Sequence, residues 1–164
     1  MKIKGWLPLL ALLTLAAAGG ALFIFEVPVL QVVNAERPAR LNLRLGEPTR
    51  FSISYIHSIY LQAAAEEFEV EEGEVILLRG VRTRSPSVAH YYGFEEDNRD
   101  YYPVDRKMKS FALRLGMSQA QTLSHGEKKI SLGDLGEKGD RLEVRVVRMT
   151  WGKYLLSRVV KEKS

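Results

Sequence analysis

The rhythm of apolar and polar positions changes once along this chain, close to residue 26. Ahead of that point an apolar run extends from Gly5 to Phe25, broken only by Pro8 and Thr14. Beyond it the period is two, the signature of strands with one buried face. Leu41, Leu43 and Leu45 alternate with Asn42 and Arg44, and Gly46-Glu47-Pro48 then marks a turn. Phe51, Ile53 and Tyr55 alternate with Ser52 and Ser54, and Phe68 and Val70 alternate with Glu67 and Glu69. Val75 to Leu78 is a short, nearly continuous apolar run, as expected for a strand covered on both faces.

Phe111, Leu113 and Leu115 repeat the alternation, as do Leu142, Val144 and Val146. Between them Ala120 to Ser124 and Lys128 to Leu132 flank His125-Gly126-Glu127. That arrangement predicts a hairpin whose glycine supplies the positive φ of a tight turn. Tyr154 to Val160 fits either a last strand or a short helix. With about eight to ten short strands and few helical candidates, the expected fold is mainly β. It is a single antiparallel β-sandwich or small barrel-like domain, preceded by one N-terminal transmembrane helix.

The opening run sets the expected location. As a helix its 21 residues would span roughly 32 Å at 1.5 Å per residue, about one hydrocarbon core. Lys2 and Lys4 ahead of it, with no further charge until Glu26, place the amino terminus on the cytoplasmic side. A cleaved signal peptide is the competing reading, with Leu9 to Leu15 as its apolar region and Ala16-Ala17-Ala18 as small residues for a peptidase. The run continues through Ala21-Leu22-Phe23-Ile24-Phe25, which favours an uncleaved anchor. Residues 1–26 are thus read as anchor or signal, and 27–164 as one extracytoplasmic β domain. The lipid bilayer is the expected partner of residues 5–25, and the domain is secreted if the signal is cleaved.

Composition narrows the classes further. The 164 residues are 46% hydrophobic and 27% charged, with no cysteine, so a folded domain is expected without disulfides, thiolate chemistry or a lipoprotein anchor. The formal charge is +4. Leaving out Lys2 and Lys4 reduces the cations to 22 against 20 carboxylates, too even a balance for a nucleic-acid binder.

Candidate chemistry gathers in two places. His57 shares parity with Phe51, Ile53 and Tyr55, and Glu66 shares parity with Phe68 and Val70. A turn over Ser58 to Ala65 would let His57 and Glu66 meet at one end of the core. Such an ion pair offsets desolvation, and it would either bind a polar group of a ligand or close the core. The second place is Arg84 to Lys109, an irregular stretch with Pro86, Gly93, Pro103 and four tyrosines: Tyr91, Tyr92, Tyr101 and Tyr102. Tyrosines join apolar area to a hydroxyl at modest entropic cost, which suits either a contact loop or a cover over the sandwich end.

Catalysis and metal binding find less support. Ser54 or Ser58 with His57 and Glu66 supplies the residue types of a hydrolase, but adjacent His57 and Ser58 point to opposite faces of a continuous strand. There is no G-x-S-x-G elbow. His57, His90 and His125 lie far apart without ligand spacing, and Glu95-Glu96-Asp97-Asn98-Arg99-Asp100 lacks the glycine and terminal glutamate of an EF-hand. No enzyme activity, cofactor or metal is expected.

Phe51-Ser52-Ile53-Ser54-Tyr55-Ile56-His57-Ser58, followed by Glu66-Glu67-Phe68-Glu69-Val70, resembles the domain-of-unknown-function family numbered eighteen-fifty. The apolar amino-terminal segment and the glycine-punctuated β region from Gly116 through Val147 agree with it, so the resemblance covers most of the chain after Leu41. Members are small bacterial envelope proteins whose genes often lie beside TAXI-type TRAP transporters. The resemblance implies an envelope location and a TRAP transporter membrane subunit as partner, and it supplies no catalytic mechanism. The leading expectation is an extracytoplasmic accessory or binding module for a solute transporter, with Tyr55, His57, Ser58, Glu66, Tyr91 and Tyr92 at the contact site. An independent binder of an organic acid or lipid-like molecule is the alternative, and a Ser/His hydrolase the remote one.

Overall fold

A computed structural model describes residues 6–95, 99–116 and 121–159. The protein is mainly β, with two antiparallel sheets among these residues. The first sheet takes the order β2-β1-β10-β7, built from β1 (Glu26–Asn34), β2 (Arg40–Arg44), β7 (Ser110–Arg114) and β10 (Arg141–Thr150). The second runs β6-β5-β4-β3-β8-β9, from β3 (Arg50–Ile56), β4 (Ala63–Glu71), β5 (Val75–Thr83), β6 (Tyr101–Met108), β8 (Thr122–His125) and β9 (Lys128–Ser131). Among the described residues three α-helices accompany them, α1 (Leu7–Ala21), α2 (Pro86–Tyr91) and α3 (Trp151–Val159), with a short 3-10 helix over Leu132–Leu135.

The period-two pattern explains the core. Leu30, Val32 and Leu43 of the first sheet and Phe51, Ile53, Phe68 and Leu123 of the second are buried in one cluster. Three phenyl rings join the sheets. Phe51 lies opposite Phe68 in the β3–β4 register and stacks on it at 4.9 Å, while Phe68 stacks at 4.8 Å on Phe111 of β7. Stacks of this kind add about 0.5–1.5 kcal/mol beyond the area they bury.

The expected hairpin forms, with Gly126 at φ +56°. Its His125 also latches the sheet to a neighbouring turn: Nδ1–H donates to Arg50 O at 2.7 Å and Nε2 accepts from Gly46 N–H at 3.2 Å. Both ring nitrogens are thereby engaged by backbone groups.

Two expectations need correction. The apolar run does not form one 21-residue helix. Helix α1 has 15 residues, about 22 Å at 1.5 Å per residue, and among the described residues no helix is long and apolar enough to cross a membrane. Pro8 lies in the first turn, where its missing N–H is harmless. At the other end the chain leaves the helix at Leu22, where another helix intervenes: Leu22 O accepts from Gly152 N–H at 2.8 Å and Phe25 O from Trp151 N–H at 3.1 Å. The first amides of α3 thereby find their missing partners in carbonyls at the two ends of the segment that follows α1. Gly5, the expected start of the span, lies outside the described residues.

The stretch from Arg84 to Lys109 is not one long loop. Ser85 Oγ caps α2 by accepting from Val88 N–H at 3.4 Å, and β6 then pairs with β5. This strand escaped the alternation rule because it is an edge strand, where Pro103 is tolerated and Asp105, Arg106 and Lys107 face solvent. Of the acidic run, Glu96, Asp97 and Asn98 lie outside the described residues. Tyr154 to Val160 resolves in favour of helix through Val159.

Candidate functional site

Strand directions give the domain two distinct ends. Strand β3 begins at Arg50, beside the His125 latch and close to the α1–α3 junction, and finishes at Ile56 at the far end. Strands β4 and β5 bring Ala63 and Thr83 to that same far end, where α2 follows. Tyr55, His57, Ser58, Glu66, Tyr91 and Tyr92 therefore all belong to the far end, on segments far apart in sequence.

A turn over residues 57–62 closes β3 onto β4. His57 N–H donates to Gln62 O and Leu61 N–H to His57 O, both at 2.8 Å. His57 is 6% exposed, as its parity required. Its Nδ1 accepts from the amides of Ile59 and Tyr60 at 3.3 and 3.4 Å, so the imidazole holds the turn that carries it. The ring stacks on Tyr60 at 5.2 Å and meets Tyr91 edge-on at 4.6 Å.

The expected His57–Glu66 pair does not form: no hydrogen bond or ion pair joins them among the described residues. Register explains this. Glu66 lies opposite Ile53, four residues before His57, which is about 13 Å along a strand at 3.3 Å per residue. Tyr55, paired with Ala64, is instead the diagonal neighbour of Glu66, within reach of a long side chain. Glu66 Oε1 accepts from Tyr55 OH at 3.3 Å and from Tyr92 OH at 2.8 Å. The two phenol oxygens also lie in direct contact, so two protons are shared among three oxygens.

Burial and then the nearby Glu66 carboxylate push both phenols well above the usual tyrosine range. Tyr55 and Tyr92 are therefore held as neutral hydrogen-bond donors at any physiological pH. They cannot act as bases. Ser58 is exposed and makes no hydrogen bond to His57 among the described residues, so the Ser–His arrangement of a hydrolase is not assembled here. Among the described residues no three His, Asp or Glu side chains are grouped to hold a metal ion.

From this cluster a row of rings crosses the far end. Tyr60 stacks on His57, His57 meets Tyr91, Tyr91 meets Tyr92 edge-on at 5.8 Å, and Phe94 lies between Tyr92 and Tyr102 at 6.2 and 4.7 Å. Tyr102 is buried in β6, and Tyr101 lies on the outer face across Gly80, its hydroxyl donating to Arg79 O at 3.1 Å. The four tyrosines expected in one loop thus divide: Tyr91 and Tyr92 belong to the site, and Tyr101 and Tyr102 to a strand.

Around the row, Ile56, Ile59, Leu61 and Tyr91 present exposed apolar surface, with Leu61 at 73% and Ile59 at 65%. Sequence reasoning passed over Ile59, Tyr60 and Leu61. Their signal was an apolar triplet placed in a turn, where polar residues are the norm. No protein-family profile, curated protein or solved structure matches the chain.

Proposed function

We propose that the protein is a membrane-anchored binding module that offers an aromatic surface at the end of its β-sandwich far from the anchor. The observation that carries the reading is the row Tyr60–His57–Tyr91 bordered by exposed Ile56, Ile59 and Leu61. Contiguous apolar surface on a rigid frame is a recognition feature, and tyrosine lowers the entropic cost of contact. Rigidity comes from the His57-capped turn and from the Tyr55–Glu66–Tyr92 cluster behind it.

Anchoring is supported by α1 and the residues after it. Leu12, Leu13, Leu15, Phe23, Ile24 and Phe25 are each more than half exposed, an arrangement suited to lipid and costly in water at about 25 cal/mol per Å². The early lysines favour a cytoplasmic amino terminus and an extracytoplasmic β domain, a crossing for which the 15 residues of α1 would need the apolar segment 22–25 beside them. The partner in this reading is a membrane protein, with a TRAP-type transporter subunit as the proposed case. Its support is the resemblance of the Tyr55–Ser58 and Glu66–Val70 segments to an envelope family found beside such transporters. Tethering raises the effective concentration of the module near that partner. Binding rather than catalysis is favoured because Ser58 is exposed and makes no hydrogen bond to His57 among the described residues, while the exposed side chains around the ring row are apolar.

A photo-crosslinking amino acid in place of Ile59, in the full chain in native membranes, tests the reading. A transporter membrane subunit should be captured there and lost with Leu61→Asp. Equal capture from a crosslinker at Ser110, away from the row, would contradict it.

A further inference from the structure

The geometry points to α3 as a second membrane contact, an interfacial helix resting on the anionic phospholipid headgroups of the bilayer that holds α1. The inference builds on the anchoring proposed above and adds a site of its own. Gly152, on the first turn of α3, is buried against Phe23, and a Cβ there would lie 2.4 Å from the phenyl ring. The two backbones meet this closely because Gly152 and Trp151 donate to Leu22 and Phe25. Leu156 follows Gly152 by one turn on the same helical face and is 58% exposed, with Leu155 beside it at 44%. Together with Leu22, Phe23, Ile24 and Phe25 they form one apolar strip running from the anchor onto α3. Whatever covers the anchor must also reach the strip.

The inner side of α3 is spoken for. Tyr154 is buried, and the Arg44 guanidinium lies 4.6 Å from the centroid of the Trp151 ring. Beside it opens a cleft of about 530 Å³ lined by Arg44, His125, Lys128 and Trp151. Exposed Lys153 and Arg148 add to Arg44 and Lys128 at this end, against Glu26, Glu47 and Glu127. An apolar face with exposed cations on and just before the helix is the composition of a helix lying in the headgroup layer. Arg148 and Lys153, exposed just before and on α3, favour anionic headgroups. A protein partner would not need the strip to continue from α1.

Because the chain has no cysteine, single Leu156→Cys, Leu13→Cys and Ser87→Cys substitutions can each carry one environment-sensitive fluorophore. The labelled full chain is reconstituted into phosphatidylcholine vesicles with and without phosphatidylglycerol, and an aqueous quencher is added. Ser87, exposed on α2 at the far end, corrects for molecules facing inward. The expected result is a blue-shifted, quencher-protected label at residue 156 only when phosphatidylglycerol is present, protection at residue 13 in both vesicles, and none at residue 87 beyond the inward fraction. Protection at 13 with full quenching at 156 in both vesicles would overturn the α3 contact and leave the anchor standing. Full quenching at both 13 and 156 would overturn the anchor and the contact together.

Discussion

At the α1 end, backbone atoms make the junction: two amides of α3 meet two carbonyls that α1 and its following turn leave open. At the far end side chains make it, through His57 on its turn and Glu66 between two phenols. A backbone junction tolerates sequence change except at Gly152, where a Cβ would require the Phe23 ring to move aside. A side-chain junction depends on the identity of each member. Both ends expose apolar surface, and at the far end that surface sits directly on a side-chain frame that single substitutions can loosen.

The largest expected effect therefore lies at the far end. Glu66→Ala removes the acceptor of both phenols and is expected to cost about 2–4 kcal/mol, read as a lowered midpoint in denaturant unfolding. His57→Ala, which frees the amides of Ile59 and Tyr60 and unstacks Tyr60, is expected to cost about 1–2 kcal/mol. Amide exchange over residues 57–62 should quicken in this variant while the α1 end is unchanged.

Gly152→Leu sharpens the contrast from the other side. It should change global stability by about 0.5 kcal/mol or less, because Phe23 is itself exposed and can give way. Amide exchange at Trp151 and Gly152 should nevertheless lose its protection. A far-end response to Gly152→Leu would break the distinction between the two ends.

The smallest effects are those of pH. Folding raises the Tyr55 and Tyr92 phenols above their usual 10.0, so their contribution is complete below pH 10 and is lost as the pH rises further. Ultraviolet titration should show Tyr55 and Tyr92 ionising only together with unfolding. At low pH the relevant group is Asp140, held below its usual 3.8 by the Glu137 amide first and then by Asn34 and Arg37. Its contribution is complete above 3.8 and fades as the pH falls below it. Asp140→Asn should flatten the acid limb of the stability curve.

The mainly β fold was legible because burial on one face writes a period of two into β2, β3, β4, β7 and β10. Edge strand β6 was not, since neither of its faces demands an unbroken apolar series. Parity correctly turned His57 inward, yet parity fixes only the face. The position along the strand depends on where the turn falls, and a six-residue turn ending at Gln62 moved Glu66 from His57 to Tyr55. The long apolar run announced its own character clearly. Its division into α1, a turn and β1 depended on contacts with α3, more than a hundred residues away.

The central proposal is that α1 holds the protein in a bilayer and the β domain stands outside it. Cell fractionation of the full untagged chain, followed by an alkaline carbonate wash, tests this most directly. The account predicts that the chain stays in the membrane pellet and that removal of residues 6–25 releases a folded β domain. Recovery of the intact chain in the soluble fraction before any wash would contradict it.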